Sequence, residues 1–269
     1  MKLILLGTTG YHPNNRRHTA CLMLPEVGVV LDAGTAMFRV RDYLTTKHLD
    51  VFVTHAHLDH IFGLTFLIDV LWKSPCERAN VHAPEATIKA VEEHLFAEPL
   101  FPVKPPCDFH PLDGPVPIAG GGTVRWFPLI HPGGSVGFRL DWPDRSLAYV
   151  TDTTARPDAD YVEHIRGVDL LVHECYFGDD QSAWAETTGH SSVTPVAQVA
   201  KAAGVKELLL VHLNPMVDAV DPIGVDVARG DWRLIVICSC ELGKTSEPIW
   251  RFGACAKQTI IVEIKPTTR

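Results

Sequence analysis

A chain of 269 residues, 46% hydrophobic and 21% charged, is long enough to bury a sizeable core and too apolar to be disordered. Its formal charge of −8 at pH 7 and its pI near 5.9 deny it the broad basic face with which proteins displace counterions from nucleic acid. A small anionic substrate remains compatible with that charge where bound cations offset it locally.

The opening Met1 to Gly7 has four consecutive apolar residues after Lys2, too few for a signal-peptide core or a bilayer span, and reads as a first strand. The seven cysteines are odd in number and scattered, apart from Cys238 and Cys240, which argues against a disulfide framework and for a reducing, cytoplasmic setting. Arg16, Arg17 and His18 then offer cationic donors suited to a phosphate or carboxylate, though solvated surface residues read equally well. The run Val29 to Leu31 leads into Asp32, just before Gly34.

Val51 to Val53 leads into Thr54-His55-Ala56-His57-Leu58-Asp59-His60, three imidazoles and one carboxylate within six residues. A lone histidine is usually a packing residue, but this density supplies N and O donors that can turn toward one point, as two adjacent divalent ions require. Helical patterns follow over Ile61 to Trp72 and over Glu85 to Ala97, the second with Pro84 at its first turn, and Pro99 to Pro117 reads as a long surface connection. Three more β-rich runs end in a metal-type donor: Trp126 to Ile130 before His131, Leu147 to Thr151 before Asp152, and Leu208 to Val211 before His212. Such repetition places the donors just past strand ends, at one rim of a sheet core. A helix from Ser192 to Ala203 closes at Gly204.

Two sheets flanked by helices is the layering this order suggests, and with no Ser/Gly linker the reading is one domain over 1–269. In the tail, Val225 to Gly230 reads as a helix end and Thr259 to Ile264 as a last strand. The segment Asp231 to Cys255, with Trp232, Trp250 and Cys238-Ser239-Cys240, carries no assignable chemistry.

Taken together these residues resemble the metallo-β-lactamase superfamily, an α/β fold built as an αββα four-layer sandwich with an HxHxDH loop, here His55, His57, Asp59 and His60. The likeness runs over roughly Met1 to Pro215 and includes His131, Asp152 and His212 in family order. It implies one metal held by His55, His57 and His131, a second held by Asp59, His60 and His212, and Asp152 bridging the two. Asp32 matches the family's first acidic motif, with the implied role of holding the ligand loop by hydrogen bonds; a simple turn carboxylate is the other reading.

Within the superfamily the nearer likeness is to ribonuclease Z and related phosphodiesterases. His60 to Leu64 resembles that group's helix entry, His131 to Arg139 its third-histidine segment, Val172 to Phe177 its histidine-glutamate-alanine-threonine loop, and Gly189 to Ser192 its histidine-serine-threonine motif. Pro13 to His18 is only loosely similar to the proline-lysine-arginine-asparagine loop, with Asn15 in place of lysine and His18 in place of asparagine. No segment between Asp152 and His190 is long enough to form a tRNA-gripping arm.

The resemblance implies a phosphodiesterase with two divalent ions, most simply zinc, with manganese or iron as alternatives, sharing a bridging hydroxide that attacks phosphorus. Asp59 would orient that nucleophile and His190 would protonate the leaving oxygen. Glu174 would orient His190, or be an ordinary surface carboxylate. The expected substrate is a small-molecule or nucleotide phosphodiester, with tRNA less favoured for lack of the arm; a homodimer is compatible and no membrane partner is implied. Ester, thioester or lactone hydrolysis is the alternative, because the same nucleophile attacks acyl carbon. A flavodiiron oxidoreductase would need a glutamate where Ala56 stands.

Overall fold

A computed structural model describes residues 1–217, 233–235 and 260–266. The readings made for Val225 to Gly230 and for most of Asp231 to Cys255 lie outside these residues. Fourteen described strands form two seven-stranded sheets.

The first sheet contains β1 (Lys2–Gly7), β2 (Cys21–Leu24), β3 (Val29–Leu31), β4 (Asp50–Phe52), β5 (Ala79–Ala83) and β6 (Cys107–Pro111) in spatial as well as chain order. The last strand, β14 (Ile260–Glu263), pairs antiparallel with β1, at the place expected for a final strand. The second sheet runs from β7 (Val116–Ile118) through β8 (Gly122–Leu129), β9 (Ser135–Trp142), β10 (Arg145–Val150), β11 (Leu170–Glu174) and β12 (Glu207–Val211) to β13 (Arg233–Ile235). In each sheet an antiparallel half gives way to a parallel one: β3 to β6 are parallel in the first, β10 to β13 in the second.

Alternation along the strands explains the layers. Leu3 and Leu5 of β1, Leu22 and Leu24 of β2 and Phe52 of β4 face Phe138, Leu140, Leu147, Tyr149, Val172 and Leu209 across the space between the sheets. The intervening Ile4, Met23, Val30 and Val51 point outward beneath helices, as Ala148, Val150, Leu171 and Leu210 do on the other side. A strand covered on both faces reads as an unbroken apolar run, which is why these segments stand out in the sequence. Each fully buried Leu or Phe contributes about 1.5–3 kcal/mol, so the inter-sheet layer and the two layers beneath the helices all stabilise the fold. The helix Val193–Ala203 packs Val196, Val199, Ala200 and Ala203 onto the second sheet and ends at Gly204 in the left-handed conformation. The architecture is the αββα sandwich.

Two local readings need correction. The helix expected over Ile61 to Trp72 is broken into α1 (Leu58–Ile61), tight turns over Phe62–Phe66, and α2 (Leu67–Leu71). The break falls where the Gly63 N–H bonds Ala33 O (2.7 Å) instead of continuing the helix, on a backbone that approaches Gly34 closely. The presumed connection Pro99 to Pro117 contains all of β6 and begins β7. Both are outermost strands of their sheets, where Pro111 and Pro117 lack an N–H at little cost. The expected helix from Glu85 is present as α3 (Glu85–Ala90), followed by a wider turn over Val91–Leu95. Among the described residues no helix is long and apolar enough to cross a membrane, and Cys21, Cys76, Cys107 and Cys175 are free thiols.

Candidate metal centre

Both sheets deliver polar residues to one rim. On the first sheet, β4 ends at Phe52, and the chain turns through His55 and His57 into the single turn α1, which carries Asp59 and His60. Asp32 holds this loop. It is fully buried, and its carboxylate accepts the Thr54 N–H (2.9 Å), the Thr54 hydroxyl (3.0 Å), His60 Nδ1–H (2.8 Å) and the Tyr149 hydroxyl (2.8 Å). A buried carboxylate is tolerable only with such a full set of donors. The first three belong to the loop and the fourth crosses from β10 in the other sheet.

On the second sheet the donors arrive singly: His131 after β8, Asp152 after β10 and His212 after β12. Glu174 ends β11 and is buried, so the surface-carboxylate reading fails. It accepts the Thr153 N–H (2.8 Å), the Ser191 N–H (3.1 Å) and His190 Nδ1–H (3.1 Å), tying the Asp152 loop to the His190 turn.

The Asp152 carboxylate divides the donors into two groups. Its Oδ2 faces His55 Nε2 (3.6 Å) and His131 Nε2 (3.5 Å), and His131 Nε2 lies 3.3 Å from His57 Nδ1. Its Oδ1 faces His60 Nε2 and His212 Nε2, each at 3.2 Å, and both lie close to Asp59 Oδ2 (3.3 and 3.2 Å). Within each group the donor atoms lie within 4.8 Å of one another: His55, His57, His131 and Asp152 in one, Asp59, His60 and His212 in the other. A nitrogen of His190 reaches Asp152 and His212 within the same limit.

Protonation follows from the outer partners. His131 Nδ1 must donate to the Gly189 carbonyl (2.9 Å) and His60 Nδ1 to Asp32, so the neutral ring of each keeps its lone pair on Nε2. The Thr54 hydroxyl is committed to Asp32, so it accepts from His55 Nδ1 (3.0 Å), and His55 Nε2 is buried with no hydrogen-bond partner. His60 Nε2 converges with His212 Nε2 (3.2 Å) and His131 Nε2 with His57 Nδ1 (3.3 Å), and a bound cation would take a lone pair from each nitrogen. This donor set therefore fits two divalent ions.

Charge agrees. Burial pushes His55 well below the usual imidazole range, with the neighbouring His60 charge adding to it. Burial would also lower His60, but Asp152, Asp59 and Asp32 hold it well above that range. Carboxylates that draw a proton onto His60 would draw a divalent cation to the same place. Asp152 is held well below the ordinary carboxylate range: burial opposes this, and His212 and His60 outweigh burial. For His190, too, burial is outweighed, here by Glu174, and its pKa is raised to about 9.

The backbone is strained at this rim. Of five non-glycine residues with positive φ among the described residues, four line it: Tyr11 (62°), Asp32 (57°), Asp152 (48°) and His212 (53°). Gly10 permits a close approach, because a Cβ there would stand 2.2 Å from the His212 ring. At Gly189 a positive φ of 75° aims the carbonyl at His131.

Sequence reasoning missed several contributors. Tyr149 carried no signal, since a single tyrosine in an apolar strand reads as core. Tyr11 donates its backbone N–H to Asp59 Oδ2 (2.7 Å). Tyr176, where the likened loop has threonine, stacks on His190 with ring centroids 5.2 Å apart. Among the early cationic residues, Arg17 bonds Val217 O (3.1 Å), and His18 sits against Phe38 with its Nδ1 3.2 Å from the Thr35 hydroxyl. Of the histidines given no role, His173 is buried against the Tyr161 hydroxyl (3.0 Å) and His82 pairs with Asp50 (3.0 Å).

Comparison with known proteins agrees with the architecture. Residues 28–213 match the model of the beta-lactamase superfamily domain. A ribonuclease Z of Metallosphaera sedula is 27% identical over 269 aligned positions, covering 80% of this chain and 88% of that protein. Among solved structures, the metallo-beta-lactamase fold protein YhfI of Bacillus subtilis superposes with a TM-score of 0.71 at 22% identity, covering 87% of this chain and 96% of that one. The short form of human tRNase Z gives 0.67 at 22% identity, covering 80% and 93%.

Proposed function

The chain belongs to the beta-lactamase superfamily and is a metal-dependent hydrolase, and from that premise we propose that it hydrolyses phosphodiesters. One observation carries the choice of bond: His190, oriented by buried Glu174, stands beside the Asp152 and His212 donors. Cleavage of an unactivated phosphodiester needs a proton for its leaving oxygen, and His190 is a suitable donor. The ribonuclease Z relatives support the same reading.

In this proposal His55, His57 and His131 hold one ion, Asp59, His60 and His212 the other, and Asp152 bridges them. The pair, when bound, supplies Lewis-acid neutralisation of the phosphoryl charge and an acidified water. Zinc suits the histidine-rich donors, and manganese or iron can occupy the same set. The chain's own groups do the rest. Asp59 accepts a hydrogen bond from the attacking water and orients it toward phosphorus. In the metal-free chain burial would raise the Asp59 pKa, and the His60 charge outweighs it and keeps the carboxylate ionised. As the bond from phosphorus to the leaving oxygen breaks, His190 passes its proton to that oxygen, and Glu174 stabilises the proton on His190 beforehand.

His190→Ala tests the assignment. With a poor alkoxide leaving group, kcat should fall by about 10²- to 10⁴-fold, whereas 4-nitrophenoxide, which leaves unprotonated, should show a much smaller loss. Equal losses with both leaving groups would remove His190 from the acid role. Turnover of a lactone or thioester without turnover of any phosphodiester would replace the reading with acyl hydrolysis.

A further inference from the structure

We infer that Tyr11 and Tyr176 form an aromatic clamp at the mouth of the metal centre, selecting phosphodiesters that carry a planar aromatic substituent such as a nucleobase or aryl ring. The inference rests on the phosphodiesterase reading and deepens it by naming the substrate class.

Tyr11 is the more telling of the two. Its backbone sits at φ 62°, a left-handed conformation costly for a bulky L-residue. The loop is locked there. Gly10 N–H bonds Leu213 O (3.1 Å), Leu213 N–H bonds Thr8 O (2.8 Å), and Tyr11 N–H bonds Asp59 Oδ2 (2.7 Å). Any residue but proline supplies that last N–H, and glycine would supply it without strain. The ring is 76% exposed, so it contributes little to the core. A strained backbone that presents an exposed aromatic ring beside a candidate metal ligand has its explanation in what the ring meets from solution.

Tyr176 reaches the centre from the loop after β11. Its ring stacks on His190 at an interplanar angle of 23° and lies 5.9 Å from the His212 ring, so it is anchored at the centre and only half buried. Asp59 accepts the Tyr11 N–H and lies 3.2 Å from His212 Nε2, so the two tyrosines come to the same pair of candidate ligands. Exposed apolar residues adjoin two of the donors in sequence: Ile130, before His131, is 82% exposed, and Leu58, after His57, is 65% exposed. Two aromatic rings beside the donors on a chain of charge −8 suit a flat, neutral group on a single phosphate better than a polyanion.

The test compares two substrates with one leaving group, phenyl 4-nitrophenyl phosphate and methyl 4-nitrophenyl phosphate, on the metal-loaded protein. The wild type should favour the phenyl diester in kcat/KM. Tyr11→Ala and Tyr176→Ala should each cut that preference by about tenfold, chiefly through KM, a loss typical of removing one aromatic stack. Tyr11→Phe and Tyr176→Phe should retain it, since the ring and not the hydroxyl is used. An unchanged ratio in the alanine variants, or a wild type without preference, overturns the clamp. Calorimetric binding of phenylphosphonate against methylphosphonate gives a second readout without turnover. If no phosphodiester is cleaved but the phenyl preference is present and lost in the alanine variants, the phosphodiesterase reading fails and the clamp stands; equal binding of both phosphonates overturns the clamp.

Discussion

The two sheets build one rim by different means. The first concentrates four donors in a single loop, His55 to His60, and fixes them through one buried carboxylate, Asp32. The second spends a separate strand end on each donor, at His131, Asp152 and His212, and links two of its loops through Glu174. A local cluster can be oriented by one hydrogen-bonding hub, whereas dispersed donors are oriented by the registry of the strands that carry them. Asp152 and Tyr149, both from β10 or its end, join the two arrangements: one meets the donors of both groups, and the other meets the hub.

Replacing that first joint should break the contrast most severely. Asp152→Ala is expected to leave about one ion per chain or fewer, whereas His57→Ala, which removes an exposed donor of one group only, should keep about one. Elemental analysis of zinc-loaded protein reads both. If the Asp152 variant still holds two ions, the carboxylate is not shared.

A smaller effect is expected from Tyr149→Phe, which deletes only the hydroxyl on Asp32. Metal affinity should fall by about 10- to 100-fold, as for other losses of a hydrogen bond behind a ligand. Because Asp32 reaches His60 directly and His55 through Thr54, both ions should weaken together in a chelator competition. Weakening confined to one ion would show that the hub serves one group only. Folding stability should drop by about 1.5–3 kcal/mol, the contribution of one hydrogen bond to a charged group, since His60 and Thr54 still donate to the same oxygen.

The smallest effect is expected at the opposite end of β4, away from the rim. Burial would raise the Asp50 pKa, but hydrogen bonds from His82 and Asn80 hold it below its ordinary value. A carboxylate whose folded pKa is depressed stabilises the fold above its unfolded value near 4, and loses that contribution as the pH falls through the lower folded value. Asp50→Asn should therefore cost about 1 kcal/mol at pH 6 and less at pH 3, as read by urea unfolding, with metal content unchanged. A penalty that grows toward acid pH would contradict the sign.

Legibility followed chain distance. The HxHxDH loop could be read because its donors are neighbours in sequence, Asp152 and His212 because each follows a strand buried on both faces, and His131 because it ends the apolar run of Trp126 to Ile130. Glu174 and His190 were readable through resemblance, but the burial of Glu174 was not, since nothing in a glutamate's neighbours in sequence tells which strand end lies under which turn. Tyr149, Tyr11 and Tyr176 were missed for related reasons: a core tyrosine, a loop tyrosine and one at a threonine position look ordinary until their partners are known. The helix break at Gly63 and the strands within Pro99 to Pro117 depended on contacts with Ala33 and with sheet edges.

The amino-acid sequence by itself determined the layered α/β class, the strand ends that carry donors and the chemical kind of those donors, because hydrophobic periodicity and residue type are local properties. Only the tertiary structure decided that Asp152 turns one oxygen to each donor group, that a tyrosine from the opposite sheet secures Asp32, and that Tyr11 and Tyr176 come to the same pair of donors, Asp59 and His212. Those relations join residues up to 165 positions apart, as Tyr11 and Tyr176 are, and the packing of one sheet on the other sets their distances.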